Sequence, residues 1–99
     1  MVTITNINGT SHMTCKCGSW LNHWQSFSMQ NLPQYCPVEG CHQRDLVGAY
    51  VQRAYSLIQK WYIIPLCSTH NASKYDLDVS DTIAFVSANK SETCEKCYF

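Results

Sequence analysis

Cysteine is the residue type in this sequence whose number and spacing point most directly to chemistry. The chain of 99 residues contains seven cysteines, an odd number that a closed set of disulfides would leave unpaired by one. Six of them form close pairs, and the seventh, Cys67, precedes His70 by three positions. Thiolates a few residues apart reach a single tetrahedral cation, so this spacing predicts zinc binding. The alternative is a set of buried free cysteines that behave as small apolar residues.

A first zinc site is expected from two segments in the middle of the chain. Cys36 and Cys41 flank a loop whose proline and glycine favour a sharp turn. Cys67 and His70, at i and i+3, lie on one face of a predicted helix start. Four protein ligands close the coordination shell, which is typical of a structural zinc ion. The alternative for His70 is an exposed helix histidine, with Cys67 in the core.

The other cysteines form a second candidate set near the two ends of the sequence. An all-thiolate zinc site would join Cys15 and Cys17 to Cys94 and Cys97, and would close a loop that spans nearly the whole chain. A variant of this site uses His23 in place of one thiol. The alternative is that the C-terminal cysteines are spare thiols in a frayed tail.

The ligands of the first site need elements that hold them, and the apolar pattern predicts a hairpin followed by a helix. Residues rich in β-branched and aromatic side chains over Leu46–Tyr55 and Leu57–Leu66 predict two paired strands. A short helix is then expected to begin at Ser68 or Thr69 and to run through Lys74.

Smaller elements are expected in the rest of the chain. Ser19 is predicted to cap a helix over Trp20–Phe27, whose aromatic residues form the buried face while His23 lies off it. The other predicted segments are a strand at Val2–Ile7, an acidic connection at Asp76–Asp81 and a last strand at Thr82–Ser87. The expected fold class is therefore α+β: a small zinc-stabilised core of hairpin and helix, with extra short strands and one N-terminal helix, in a single zinc-binding domain over residues 1–99.

The order of these segments resembles that of a treble-clef zinc finger. In that layout a loop with two cysteines comes first, then a hairpin, and then a helix start with the last two ligands. Here the loop lies at residues 36–41, and Cys67-Ser68-Thr69-His70 opens the helix. The resemblance implies one zinc ion that holds the loop against the helix.

A narrower resemblance is to the HNH nucleases, which have the ββα-metal fold. It rests on Gly48-Ala49-Tyr50-Val51 and on Ile64-Pro65-Leu66-Cys67-Ser68-Thr69-His70-Asn71-Ala72-Ser73-Lys74. In that family a histidine on the first strand is the general base, and a residue after the last finger ligand binds the catalytic metal ion. The matching positions here hold Tyr50 and Asn71, so the resemblance implies a degenerate site without an efficient base. If the chain is a nuclease after all, His42 is the alternative base.

A second resemblance concerns the segment that leads into the first helix. Cys17-Gly18-Ser19-Trp20-Leu21-Asn22-His23-Trp24 is similar to the start of small uncharacterised bacterial proteins with a Cys-Gly-Ser-Trp-x-x-His-Trp motif. It implies a small bacterial or phage protein, and it implies no activity.

Charge and hydropathy limit the partners that this protein can have. Only 14% of the residues are charged, against about 25% in an ordinary protein, and the formal net charge is zero. Weak attraction for phosphate favours a binding module for a protein partner over a nucleic-acid-binding protein. The alternative is nucleic acid held by the basic residues among the central aromatic residues, namely Arg44, Arg53, Lys60 and Lys74. No apolar run approaches the roughly 18 residues of a membrane span and no secretory signal is recognisable, which predicts a cytoplasmic protein.

Overall fold

Five strands and two short helices make up the regular structure of the residues that the structure describes. The computed structural model describes residues 1–6, 19–55, 57 and 60–88. Its elements are β1 (Val2–Asn6), α1 (Trp20–Phe27), β2 (Leu46–Arg53), β3 (Trp61–Cys67), α2 (Ser68–Asn71), β4 (Leu77–Val79) and β5 (Val86–Ser87). The strands form one antiparallel sheet in the order β4-β1-β2-β3-β5. The α+β class, with a hairpin, short strands and short helices, is what the sequence predicts, and the joining of all five strands in one sheet is a finding of the structure.

The predicted hairpin is confirmed as the pair β2 and β3 at the centre of the sheet. Its register runs from Leu46 opposite Cys67 to Gln52 opposite Trp61. Both strands are shorter at the turn than the sequence predicts, because Tyr55 lies in the turn with φ 63° and is 90% exposed. β-Branched and aromatic residues favour strands, yet this turn carries the same residue types, so composition alone misplaces its ends.

Helix α1 begins and ends where the sequence predicts. Ser19 caps it, since its hydroxyl accepts a hydrogen bond from the backbone N–H of Asn22 at 3.1 Å. The helix crosses β2 at Gly48, where a Cβ atom would overlap Trp20 and the adjoining helix backbone. The missing side chain at Gly48 therefore allows α1 to approach the sheet closely.

The predicted position of His23 is wrong, because its side chain is fully buried. His23 belongs to the same i, i+3, i+4, i+7 stripe as the three aromatic residues of α1, so helix geometry turns it toward the sheet. Its Nε2 lies 2.8 Å from the carbonyl oxygen of Ser87. Trp24 Nε1 donates to the carbonyl oxygen of Ala84 at 2.8 Å, so two buried polar groups of α1 bind the chain around β5.

The centre of the predicted acidic connection is a strand, which corrects the prediction for residues 76–81. Leu77–Val79 form β4, antiparallel to β1, with Val79 buried and Asp78 exposed. Two threonines of β1 donate their hydroxyls to acidic side chains, Thr3 to Asp78 at 2.6 Å and Thr5 to Asp76 at 2.9 Å. The last strand is also shorter than predicted and covers Val86–Ser87 alone.

The helix after the hairpin is shorter than predicted. It covers Ser68–Asn71 and does not reach Lys74. Its N-cap is Cys67 rather than one of the two hydroxyl residues that follow, and the Sγ atom accepts the backbone N–H of His70 at 3.4 Å. In the described part of the chain, no helix is long and apolar enough to cross a membrane.

Gln30 joins the end of α1 to the chain that leads into β5. Its Nε2 donates to the carbonyl oxygen of Thr82 and its Oε1 accepts the N–H of Ala84, both at 2.9 Å. Met29, just before it, has φ 60° and a side chain that is 95% exposed. This left-handed backbone costs a non-glycine residue about 1–2 kcal/mol, which the two bonds of Gln30 offset.

The two faces of the sheet are both covered near β2. Residues that follow one another in a strand point to opposite faces. Tyr50 lies on the face of α1, where its ring is 5.7 Å from that of Trp20. Ile63, opposite Tyr50, is fully buried on this same face. Val51 lies on the other face and is fully buried, as are these apolar residues of β1, β3 and β4: Ile4, Ile64, Leu66 and Val79.

We expect Gly48→Ala to destabilise the protein by about 3 kcal/mol, because the new methyl group overlaps helix backbone that cannot move independently of the sheet. Gly40→Ala provides the contrast. Gly40 has φ 77° and open space around its Cβ position, so only backbone strain of about 1 kcal/mol is expected there. Urea unfolding of both variants measures the two costs. Equal losses would contradict the close helix–sheet contact.

Candidate metal centre

Cys36, Cys41, Cys67 and His70 come together in the structure, as the sequence predicts for the first site. Their ligand atoms all lie within 4.8 Å of one another. The ligands come from three segments: a loop of residues 36–43, here called the ligand loop, the end of β3, and α2. This group is able to hold a metal ion.

Three of the six separations between the ligand atoms are near those around a tetrahedral zinc ion. His70 Nδ1 lies 3.2 Å from Cys67 Sγ and 3.6 Å from Cys36 Sγ, and the sulfur atoms of Cys41 and Cys67 are 3.9 Å apart. Zinc bonds of about 2.3 Å to sulfur and about 2.0 Å to nitrogen give tetrahedral edges of about 3.8 Å between two sulfur atoms and about 3.5 Å between sulfur and nitrogen. The three thiols are free, since a disulfide needs sulfur atoms about 2.05 Å apart.

Backbone hydrogen bonds shape the ligand loop and fix it to the edge of the sheet. Within the loop, Cys36 N–H donates to Gln43 O at 2.9 Å and Cys41 N–H donates to Val38 O at 3.0 Å. Val38 forms a bridge with Val79 of β4. Beside this bridge, Glu39 N–H donates to Asp78 O and Ser80 N–H donates to Pro37 O, each at 3.0 Å. The first two ligands are thus held by the strand that the sequence does not predict.

The third and fourth ligands depend on polar contacts at the start of α2. Ser68 makes two hydrogen bonds to Asp45. Its hydroxyl donates to the Asp45 carboxylate, and its backbone N–H donates to the Asp45 backbone oxygen at 3.2 Å. The Ser68 hydroxyl accordingly lowers the pKa of the Asp45 carboxyl. Asn6, at the end of β1, donates its side-chain amide to the backbone oxygen of Asn71. Nothing in the local sequence around Asn6 or Asp45 marks these supporting roles, because the partners are distant in the chain.

Burial divides the four ligands into two classes. Cys36 and Cys67 are 3% and 0% exposed, whereas Cys41 and His70 are partly exposed. Burial raises the pKa of the Cys36 thiol to about 12, so without a cation beside it this thiol keeps its proton at neutral pH. The charged thiolate that a metal ion needs is thus stabilised there by the metal ion itself.

One side of the cluster faces an open cleft of about 480 Å³. The cleft lies between the part of the ligand loop from Glu39 to Gln43 and the helix residues Thr69 and His70. Cys41 and His70, the partly exposed ligands, border it directly. The metal centre is therefore open toward solvent on this side and enclosed by protein on the other.

The structure does not bring the nuclease candidates Tyr50 and Asn71 to one side of the sheet. Tyr50 faces α1, with its ring 5.5 Å from that of Trp61, and burial raises the pKa of its phenol. Asn6 donates its side-chain amide to the backbone oxygen of Asn71. Asn6 is the register partner of Val51, and Val51 points to the face of the sheet opposite Tyr50. Asn71 is therefore reached from the face that Tyr50 does not share. A phenol with a raised pKa is a poor base at neutral pH.

His42, the alternative base, lies outside the group of four ligands. Its side chain is exposed, and its ring contacts Tyr35 with 5.5 Å between centroids. It borders the same cleft as Cys41. His42 is therefore close to the cluster without contributing to it.

The predicted second zinc site lies outside the described residues, as Cys15, Cys17, Cys94 and Cys97 all do. His23, the replacement ligand that the sequence suggests for that site, has its Nε2 against Ser87 O under α1.

The basic residues of the centre do not form one patch. Arg44 lies just before β2 and Arg53 at its end, and at the usual rise of an extended strand β2 is about 24 Å long. Lys60 directly precedes β3 at the Arg53 end, and Lys74 follows α2 at the other end. Both arginines lie over aromatic rings, Arg44 at 5.1 Å from Tyr35 and Arg53 at 4.7 Å from Phe85. Charges this far apart act separately at physiological salt.

Comparisons with protein-family models, with curated proteins and with solved structures found no match. Conclusions about the function of this chain therefore depend on the geometry of the site and on the resemblance of its motifs.

We expect Cys67→Ser and His70→Ala each to remove about one zinc ion per chain and to lower the free energy of unfolding by at least about 3 kcal/mol. Each substitution removes one of four ligands, and Cys67→Ser also weakens the cap of α2. His42→Ala is the matched control, because it removes a neighbouring imidazole outside the cluster. Elemental analysis and urea unfolding measure both effects. The assignment of these four residues as the zinc ligands would be contradicted if the His42 variant lost zinc or if the His70 variant retained all of it.

Proposed function

We propose that Cys36, Cys41, Cys67 and His70 bind a zinc ion whose role is structural. The observation that carries this proposal is the close grouping of the four ligand atoms, which all lie within 4.8 Å of one another and of which three pairs, at 3.2 to 3.9 Å, are near the edge lengths of a zinc tetrahedron. Three thiolates and one imidazole are soft and borderline donors that suit zinc rather than magnesium or calcium. With four protein ligands, zinc has no open position for a substrate.

The zinc centre is of the treble-clef type in our proposal. Its support is the order of the segments, since the ligand loop precedes β2, the hairpin follows, and Cys67 and His70 open α2. The layout also resembles the core of HNH nucleases, in a degenerate form that has lost the catalytic centre. Tyr50 replaces the general base and packs between Trp20 and Trp61 instead of facing α2.

Binding to a protein partner is the activity that we infer for this module. The basic residues are split between the two ends of the hairpin, and the net charge is zero, so attraction for a phosphate backbone is weak. Large apolar side chains are exposed instead, including three near the end of α1: Phe27, Met29 and Leu32. Met29 is held outward by the strained turn before Gln30, which presents its side chain almost entirely to solvent. Nucleic-acid binding through the separated basic residues is the competing function.

Wild-type protein should not nick supercoiled plasmid in the presence of magnesium or manganese, and Tyr50→His should not introduce the activity. An imidazole at position 50 would face α1, away from Asn71. Gel analysis of plasmid nicking measures this directly. Nicking by the wild type that Asn71→Ala or His42→Ala abolishes would establish a nuclease and contradict the proposal.

We expect the wild-type chain to capture a protein partner from host lysate treated with nuclease. The double variant Met29→Ser, Leu32→Ser should lose this capture. Neither substitution touches the zinc ligands, and Tyr75→Ser, at another exposed apolar residue, should leave capture unchanged. Quantitative mass spectrometry of the captured proteins is the measurement. Capture that depends on nucleic acid, or micromolar DNA or RNA binding that weakens with salt, would favour the competing function.

A further inference from the structure

The three thiol ligands differ sharply in their access to solvent. Cys36 is 3% exposed and Cys67 is 0% exposed. Cys41 is partly exposed, and it lines the open cleft of about 480 Å³ together with the buried Cys67. Among the described cysteines, Cys41 is therefore the one with exposed surface, and a small molecule that enters the cleft meets it before Cys67.

The residues on either side of Cys41 leave space at the edge of the cleft. Gly40 precedes it, and apart from its two chain neighbours no heavy atom lies within 4 Å of the position that a Cβ at Gly40 would occupy. On the other side, His42 is exposed and turned toward Tyr35. The cleft thus provides a route for a reagent the size of a peroxide to the Cys41 side of the cluster.

A second thiol is in place to react with Cys41 after a first attack. The sulfur of Cys67 lies 3.9 Å from that of Cys41, the distance expected when both bind one cation. A disulfide needs an approach of about 2 Å from this position. The bonds of the ligand loop to β4 and its continuation are made by residues 37–39 and not by Cys41, so Cys41 can move toward Cys67 while those bonds stay in place.

We propose that Cys41 is the site of oxidation by hydroperoxides and that Cys67 resolves it as a disulfide, with release of the zinc ion. The Cys41 thiolate attacks one peroxide oxygen, the O–O bond breaks, and hydroxide (for an organic peroxide, alkoxide) leaves while sulfur is oxidised to the sulfenic acid. The Cys67 thiolate then attacks the Cys41 sulfur; the S–S bond forms and the S–O bond breaks, releasing a second hydroxide. Two thiolates lose two electrons in total and the peroxide gains them, so no further oxidant is needed.

Zinc release follows from the loss of two ligands at once. A disulfide sulfur is a far weaker ligand than a thiolate, and Cys36 and His70 alone do not hold zinc in a closed site. Reduction of the disulfide by a dithiol restores both thiolates and the site. The inference depends on the proposed zinc site, whose occupancy is measured separately before any oxidant is added.

The test uses the full zinc-loaded chain and hydrogen peroxide as the probe. Dimedone traps the sulfenic acid, a chromogenic chelator follows zinc release, and peptide mass spectrometry after alkylation identifies each cysteine separately. Dimedone is expected on Cys41 at least about tenfold above Cys36 and Cys67, in keeping with their burial. Without dimedone, the expected product is the Cys41–Cys67 disulfide, formed with one zinc ion released per disulfide and reversed by dithiothreitol.

Three variants separate the role of Cys67 from the loss of zinc. Cys67→Ser and His70→Ala both lose the metal ligand set, but His70→Ala keeps the resolving thiol, so Cys41 should persist as a sulfenic acid in the first and form the disulfide in the second. His42→Ala, next to Cys41 in the cleft, should leave the pattern of the wild type. Three outcomes would overturn the proposal. The first is that dimedone labels Cys36 or Cys67 before Cys41, and the second is that Cys41 forms its main disulfide with a cysteine other than Cys67. The third is that the disulfide forms in the wild type without release of zinc. If the purified chain contains no zinc, the zinc assignment fails, whereas the order of labelling in the native chain still decides whether Cys41 is the reactive thiol.

Discussion

One small group of four ligand atoms joins parts of the sheet that do not otherwise meet. The ligand loop is hydrogen-bonded to β4, whereas Cys67 ends β3. Two strands separate β4 from β3 in the sheet, which corresponds to about 14 Å. A cation bound by both segments therefore ties an outer strand to the central hairpin across the end of the sheet. In a chain of about 100 residues, which buries a limited fraction of its surface, such a tie contributes a large share of the stability.

Polar side chains support the same end of the sheet from several directions. A helix of four residues, such as α2, is far too short to form by itself. Asp45 fixes its first turn through Ser68, and Asn6 binds its last carbonyl group from the neighbouring strand. The position of His70 is consequently set by the sheet, by the loop before β2 and by the ligands together. This agreement of independent contacts explains how a very short helix can present a ligand at a defined place.

Local sequence patterns are sufficient to predict the parts of this fold that depend on local physics. The cap and bounds of α1 follow from Ser19 and the helical spacing of the aromatic residues, and the close pairing of Cys36 with Cys41 and of Cys67 with His70 marks the metal cluster. Features that depend on distant contacts are harder to predict. β4 is hidden among acidic residues that bind threonines of β1, and His23 is a polar residue placed inside by the stripe of α1.

The cap of α2 illustrates a different limit. Sequence rules for helix starts assign the cap to an oxygen-bearing side chain, and two such residues follow Cys67 directly. The structure uses the sulfur of Cys67, the same atom that lies in the group of four candidate ligand atoms, so the helix begins at a residue of the cluster. A metal ligand can thus take a structural position for which its residue type has little intrinsic preference.

Both outer strands of the sheet have neighbours that satisfy backbone groups beside them. The ligand loop lies along β4, and the amide of Gln30 binds the backbone of Thr82 and Ala84 just before β5 in the manner of a peptide group. Exposed strand edges are templates on which other chains can add strands and aggregate. The loop that carries Cys36 and Cys41 therefore also covers the outer edge of β4 through the Val38–Val79 bridge and the two bonds beside it. Breaking these bonds would expose an edge on which a second copy of the chain could pair.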